Sequence, residues 1–322
     1  MGYPLAAIAE KLSLEESCND KLLPPLAPAC IMQKNVAGGR SMKLLRYGER
    51  GAEKPGILDS QGSIRDLSQV VKDIAGDVLG PQGLEHLKDL DLGSLPAVES
   101  TPRLGAPVAT VPKFLGIGLN YRDHAEETGM PIPETPIVFA KATSCISGPS
   151  DPILIPKGWE RIDFEVELAF VIGSPAKNVA EADALGHVAG YMIADDVSER
   201  SLQKGGPGEW IKAKSYDSFG PLGPWLVTKD EVPDPQALGL TLDLNGARMQ
   251  TGNTSTMIFS VAHLVSYISR FMTLMPGDVV TTGTPPGVGM ARNPRVFLKE
   301  GDQLTLIVEG LGEQRHTLAA EA

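Results

Sequence analysis

Arg161-Ile162-Asp163-Phe164-Glu165-Val166-Glu167-Leu168-Ala169-Phe170-Val171-Ile172-Gly173 is the stretch around which the rest of the chain is arranged. At period two, Phe164, Val166, Leu168, Phe170 and Ile172 fall on one face, and Asp163, Glu165, Glu167, Ala169 and Val171 on the other. The pattern predicts a β-strand carrying three successive acids. Acids two positions apart on a strand stand roughly 6.6 Å from each other and repel unless water or a cation lies between them. An antiparallel strand with a wet outer face would carry the same pattern. The acidic face, however, runs on into Ala169 and Val171, which suits a half-enclosed wall better than open solvent. A second apolar run, Val188–Ala194, ends in Asp195-Asp196, and one of these two supplies a third carboxylate. Oxygen-only ligation by a few carboxylates and waters is what Mg²⁺ takes. The expectation is a carboxylate-bound divalent metal site.

The composition of the 322-residue chain, 42% hydrophobic and 21% charged, is that of a globular protein with one large domain or two moderate ones. A net charge of −11 argues against a nucleic-acid surface. No apolar run reaches the length of a membrane span. Cys18, Cys30 and Cys145 form no CxxC pair, which points to a reducing, cytoplasmic setting without disulfides or a thiolate metal site.

Residues 1–41 hold Pro24-Pro25 and Pro28 without a sustained apolar period, and read as a loose extension. From Met42, short strands are expected at Lys43–Tyr47, around Gly56–Leu58 and around Ile64–Leu67, with a hairpin-like turn at Asp59–Gly62. A helix capped by Ser68 is expected over Leu67–Ile74. This makes 42–105 a small accessory domain. In the remaining 106–320 segment, Phe114–Asn120 reads as a strand running into a turn. Gly116-x-Gly118 lacks the third glycine of a dinucleotide fingerprint, and no P-loop is present, so no nucleotide cofactor is expected. Asn120–Gly129 is a polar helical turn closed by Gly129, with His124 and Glu127 at i and i+3 on one face. Ile137–Lys141 is a strand ending in a lysine, and Trp210–Ser215 places Lys212 and Lys214 before a turn. Asn245-Gly246 marks a hairpin. Ser260–Thr273 has the apolar spacing of a buried helix. Thr281–Gly289 is a glycine-proline loop that offers backbone N–H groups and the Thr284 hydroxyl to a carboxylate. Gln303–Val308 and Arg315–Leu318 close the chain as a strand pair. The segment is therefore α+β, a large mixed or rolled sheet with few helices.

Taken in order, Gly118-Leu119-Asn120-Tyr121-Arg122-Asp123-His124, Asp163–Leu168, Asp195-Asp196, Lys212–Ser215, Ser255–Ser260 and Thr282–Gly289 resemble the fumarylacetoacetate hydrolase family. The resemblance runs from Phe114 to Val308. It implies Mg²⁺ or Mn²⁺ held by Glu165, Glu167 and Asp196, with Asp196 taking the aligned position. It implies His124 and Glu127 on a lid over the substrate, Lys141 and Lys214 facing it, and Thr284 holding its carboxylate. Many members carry a lysine where Pro286 stands, so no contact is expected from that position. Family members are commonly homodimers, with Ser255–Ser260 near the interface. The implied chemistry is hydrolysis of a 2,4-dioxo acid: the metal stabilises an enolate, His124 oriented by Glu127 activates water, and Lys214 offsets growing negative charge. Similar members hydrolyse acylpyruvates, decarboxylate oxaloacetate, or isomerise related acids, so the fold leaves the reaction open. A protein that binds a 2-oxo acid without turnover would lack the His124–Glu127 pair.

The 42–105 segment, with Lys43–Gly48 and Gly56–Asp59, looks like that of bacterial members from sugar-acid catabolism. This implies a 2,4-diketo-3-deoxy sugar acid, derived from L-rhamnonate or L-fuconate, cleaved to pyruvate and lactate. Tyr121, Arg122 and Gln203 are expected at its hydroxyl-bearing end.

Overall fold

The computed structural model describes residues 42–205 and 210–321. The expected 1–41 extension therefore lies outside the described residues. In chain order the principal strands begin with β1 (Lys43–Tyr47), β2 (Lys54–Leu58), β3 (Ile64–Asp66), β4 (Phe114–Gly118), β5 (Ile137–Lys141) and β6 (Val166–Ile172). They continue with β7 (Val188–Asp195), β8 (Gly220–Thr228), β9 (Gly239–Leu244), β10 (Ala247–Asn253), β11 (Val279–Thr281), β12 (Gln303–Val308) and β13 (Gly312–Ala320). The helices are α1 (Pro81–Lys88), α2 (Arg122–Thr128), α3 (Arg200–Lys204), α4 (Trp210–Lys214) and α5 (Val261–Ser269).

The large sheet runs β3-β2-β1-β8-β7-β6-β11-β4-β5. Along this path only β11 and β4 pair parallel. A smaller sheet runs β10-β9-β12-β13 and ends on the short strand Ile153–Ile155. Leu240, Leu242, Leu304, Leu306 and Val308 of the smaller sheet are buried in the same core as β6 and β7. The period-two alternation along β9 and β12 is therefore an inside–outside alternation. The expected mixed, sheet-rich α+β architecture with few helices is what the chain adopts. Residues 42–105, expected as an accessory domain, supply β1–β3 and α1, and β1 joins them to the large sheet by pairing with β8. Arg103 reinforces that junction by pairing with both Glu53 and Asp151.

The deciding stretch differs from its expectation in two ways. Ile162–Asp163 pairs separately with Ser198–Glu199, and β6 begins only at Val166. Every residue of β6 is buried, so neither face is wet. The wall side is covered because β6 is central, with β7 on one edge and β11 on the other. Burying Val166, Leu168, Phe170 and Ile172 contributes roughly 1.5–3 kcal/mol each. An uncompensated buried carboxylate costs several. Such a strand tolerates Glu167, and Glu165 just before it, only where partners are supplied.

Turn chemistry held where the side chains enforce it. Asp59 Oδ1 accepts from Gln61 N and Ser63 N at 2.9 Å each, fixing the β2–β3 turn. Asn245 and Gly246 both take positive φ, 52° and 78°, between β9 and β10. The helix expected over Leu67–Ile74 does not form. Asp66 accepts from Ser68 N at 2.7 Å, so Ser68 sits inside an Asx turn instead of capping a helix. Only one turn follows, in which Val70 N and Val71 N both donate to Leu67 O. The helix expected over Ser260–Thr273 is shorter: Ser260 caps α5 by accepting from His263 N, and α5 ends at Ser269.

Candidate metal centre and catalytic cavity

The β6–β7 register places Val166 opposite Asp195 and Glu167 opposite Ala194. Directly paired residues share a face, so Asp196, two beyond Ala194, falls on the side of Glu165 and Glu167, and Asp195 on the other. Oxygens of Glu165, Glu167 and Asp196 lie within 4.8 Å of one another, and all three side chains are buried. Asp195, the alternative left open by the sequence, is used differently: its Oδ1 accepts from Glu165 N at 2.9 Å. Its Oδ2 has no partner among the described residues, and burial pushes its carboxyl up to about 7. Asp163, expected on the acidic face, is outside the cluster. It accepts from Gly289 N at 2.7 Å and Met290 N at 3.0 Å and pairs with Arg200 at 2.8 Å, thereby tying the glycine-proline loop to the site.

Three buried cations converge on the carboxylates. Lys214 Nζ donates to Glu165 at 2.8 Å, to Asp196, and to Ser198 Oγ at 2.8 Å. Lys141 Nζ donates to Asp196 and to Phe219 O. Arg200 bridges Asp163 and Glu165, the latter at 2.6 Å. Burial opposes the charge on Lys214, but Asp196 and Glu165 hold its ammonium above the ordinary value. Burial would likewise raise Glu165, yet Arg200 and Lys214 keep it well below the usual carboxylate range. Glu167 is different. Its hydrogen-bond partner is the Gly283 N–H at 2.7 Å, no cation forms an ion pair with it among the described residues, and burial beside Asp196 and Glu165 pushes it well up. A three-carboxylate set without sulfur or imidazole, one member lacking a cation, fits a hard divalent ion such as Mg²⁺ or Mn²⁺.

A cavity of about 310 Å³ opens onto this cluster. His124 lines it from α2, which Gly129 terminates at φ +65°. His124 Nδ1 faces Glu127 Oε2 at 2.9 Å, and Glu127 Oε1 accepts from Gly287 N at 2.9 Å. The i, i+3 pair read from the sequence is thus in contact, and its second anchor is the glycine-proline loop. Asn120 knots the same region: its amide donates to Thr282 O and Phe259 O while its oxygen accepts from Phe259 N. Gly283 packs so close to Asn120 that a Cβ would stand 2.8 Å from the asparagine's own. Thr284 lines the cavity, but its hydroxyl donates to Val166 O at 2.9 Å and accepts from Gln250 Nε2 at 2.8 Å.

Of the three residues expected at the distal end, Gln203 lines the cavity and accepts from Arg200 Nη1. Tyr121 is fully buried, and its hydroxyl has no partner among the described residues. Arg122 is exposed on α2 and is not among the lining residues. Lys212 and Lys214 separate on α4, with Lys214 buried in the site and Lys212 exposed on another cavity. Sequence reasoning missed Arg200; it offered the backbone N–H groups of the glycine-proline loop to a carboxylate without naming Gly283 or Gly287, which donate to Glu167 and Glu127. A cluster of buried acids calls for cations, which is a signal for Arg200; backbone donors leave none. An apolar wall of Ile117, Leu119, Met130, Ile137, Phe139 and Trp210 completes the cavity.

Comparison with known proteins agrees with this arrangement. The pattern described as fumarylacetoacetate (FAA) hydrolase C-terminal matches residues 113–319. A protein of Burkholderia multivorans named "Putative hydrolase" is 60% identical over 274 residues, 85% of this chain and 97% of its own. The fumarylacetoacetate hydrolase of Exiguobacterium antarcticum superposes with a TM-score of 0.77 at 34% identity, covering 87% of this chain and 100% of that one. Maleylpyruvate hydrolase from a Sphingobium species, solved with manganese(II) and pyruvate, superposes with a TM-score of 0.73 at 27% identity over 87% and 100% of the two chains. With the sheet order, the buried acidic triad and a pattern match over most of its length, the chain belongs to the fumarylacetoacetate hydrolase family.

Proposed function

We propose that the protein hydrolyses the C3–C4 bond of a 2,4-dioxo acid in the presence of a divalent cation. The observation that carries this is one cavity lined by Glu165, Glu167 and Asp196 and also by His124, whose Nδ1 is engaged by Glu127. Glu165, Glu167 and Asp196 would hold Mg²⁺ or Mn²⁺, which when bound supplies Lewis-acid stabilisation of negative charge on the 2-oxo group. The pyruvate moiety in the manganese-bound relative supports an oxo-acid substrate of this kind.

The chain's own residues account for the remaining steps. His124 Nδ1 is engaged by Glu127, so Nε2, without a partner among the described residues, is the nitrogen available to accept a proton from water. Hydroxide attacks the C4 carbonyl, the C3–C4 bond breaks with its electron pair passing into the enolate of the pyruvate half, the acid derived from C4 leaves, and C3 takes up the proton that His124 drew from water. Lys214, held protonated beside Glu165 and Asp196, offsets negative charge as it grows. The apolar wall and the α2 lid exclude bulk water from the reacting atoms. The substrate proposed first is a 2,4-diketo-3-deoxy sugar acid, with Gln203 facing its hydroxyl-bearing end.

The test is pyruvate release with Mn²⁺ from that sugar acid, acetylpyruvate and oxaloacetate. Fastest release from the sugar acid is the expected outcome. Preference for acetylpyruvate makes the protein an acylpyruvase, fastest CO₂ release from oxaloacetate makes it a decarboxylase, and turnover undiminished in excess chelator ends the metal-dependent reading.

A further inference from the structure

Arg292 lies outside the cavity lining, yet its guanidinium is spent on two backbone carbonyls. Its Nε donates to Gly287 O at 3.1 Å and its Nη2 to Met249 O. Among the described residues no carboxylate pairs with it. An arginine whose charge is given to carbonyls alone does little for net electrostatics; what it fixes is the relative position of two backbone segments, here β10 and the glycine-proline loop. Gly287 sits at φ +108°, where a Cβ would stand 2.1 Å from Met249 O, so loop and strand are already in the closest approach that glycine allows. Gln250 holds the other half of the loop through Thr284 Oγ1 and Pro285 O, both at 2.8 Å.

The Gly287 half has a second contact, which points toward the lid. Its N–H donates to Glu127 Oε1 at 2.9 Å, and the other oxygen of that carboxylate faces His124 Nδ1. Both faces of one peptide-bonded residue are thus occupied, the carbonyl by Arg292 and the amide by the group that orients the histidine. We propose that Arg292 is a positioning residue of the His124–Glu127 pair. By clamping the Gly287 carbonyl it aims the Gly287 N–H at Glu127, and so fixes the imidazole over the cavity when α2 is closed. The inference rests on the role given to His124 under Proposed function. It adds that the lid is latched through the backbone of Gly287, with Arg292 as the side chain that sets the latch.

Arg292→Gln should lower kcat about tenfold, a fraction of the 10²–10⁴ that a general base contributes. KM and Mn²⁺ affinity should stay within twofold of wild type. In a Glu127→Ala background the same change should add nothing, because Gly287 N–H then has no side-chain acceptor to be aimed at. Arg292→Lys, whose point charge serves one carbonyl at a time, should recover part of the rate. Hydrogen exchange of the 122–129 backbone provides a readout independent of turnover and should quicken in Arg292→Gln and less in Arg292→Lys. Wild-type kcat, a fully additive double-mutant cycle or unchanged exchange in 122–129 overturns the proposal. If Arg292→Gln does not fold, the lysine variant and its exchange decide. His124→Ala, measured alongside, separates the failures. A fast His124→Ala enzyme removes the base itself, whereas a slow one beside a wild-type Arg292→Gln removes only the latch.

Discussion

Glu165 and Glu167 are neighbours on one strand face, yet the structure assigns opposite consequences to their neutralisation. Glu165 receives Arg200 at 2.6 Å and Lys214 at 2.8 Å, whereas among the described residues Glu167 receives only the Gly283 N–H. Glu165→Gln removes the shared partner of two buried cations. Breaking such an arrangement costs about 3 kcal/mol or somewhat more, since Arg200 keeps Asp163 and Lys214 keeps Asp196. Glu167→Gln preserves size and the acceptor for Gly283 N–H while removing a charge that faces Asp196 and Glu165. Its cation-free stability should therefore match wild type to within about 1 kcal/mol or exceed it. Mn²⁺ reverses the ranking. At a hundred times its Kd, the ion should stabilise wild type by about 2.7 kcal/mol, a rise in Tm of roughly 4 °C for a chain of this size. It should leave Glu167→Gln nearly unmoved. Urea melts in chelator and in Mn²⁺ provide both numbers. If Glu167→Gln unfolds in chelator as readily as Glu165→Gln, or gains as much from Mn²⁺ as wild type, the assignment of Glu167 as the ligand waiting for a cation is wrong.

Three further outcomes are expected. His124→Ala should lose about 10²–10⁴ in kcat with Mn²⁺ affinity unchanged by calorimetry, and Glu127→Gln should lose less in the same assay. Burial opposes ionisation of Asp151, but its pairing with Arg103 holds the carboxyl below its ordinary value. A carboxyl depressed in the folded state stabilises it above the unfolded pKa, near 3.8, and loses that contribution as the pH falls further. Asp151→Asn should accordingly be less stable than wild type at pH 7, by about 1–3 kcal/mol, and the gap should narrow only as the pH falls below 3.8, as read from denaturant midpoints. Gly116→Ala would place a Cβ 2.2 Å from the Phe139 ring, so it should destabilise the protein by about 1–3 kcal/mol, and a calorimetric Tm equal to wild type would show that the wall yields.

Wherever a decision is local, the sequence was enough. The Asn245-Gly246 turn, the Asp59 turn, the i, i+3 placement of His124 and Glu127 and the Gly129 stop all rest on contacts within a few residues. The order of its motifs also carried the family resemblance. Where local preference and tertiary contacts compete, the sequence misled: Asp66 turned Ser68 into part of a turn, and Asp163 left the acidic face for Arg200, far away in the chain. Asp195 and Asp196 are chemically identical, and only the β6–β7 register, a pairing between distant strands, decided which one faces the glutamates. The same holds for Lys214 against Lys212, which a helix of five residues sends to different surroundings. Backbone donors such as Gly283 N and Gly287 N carry no side-chain signature, because every residue but proline has the same N–H and its direction exists only once the loop is folded against β6 and β10.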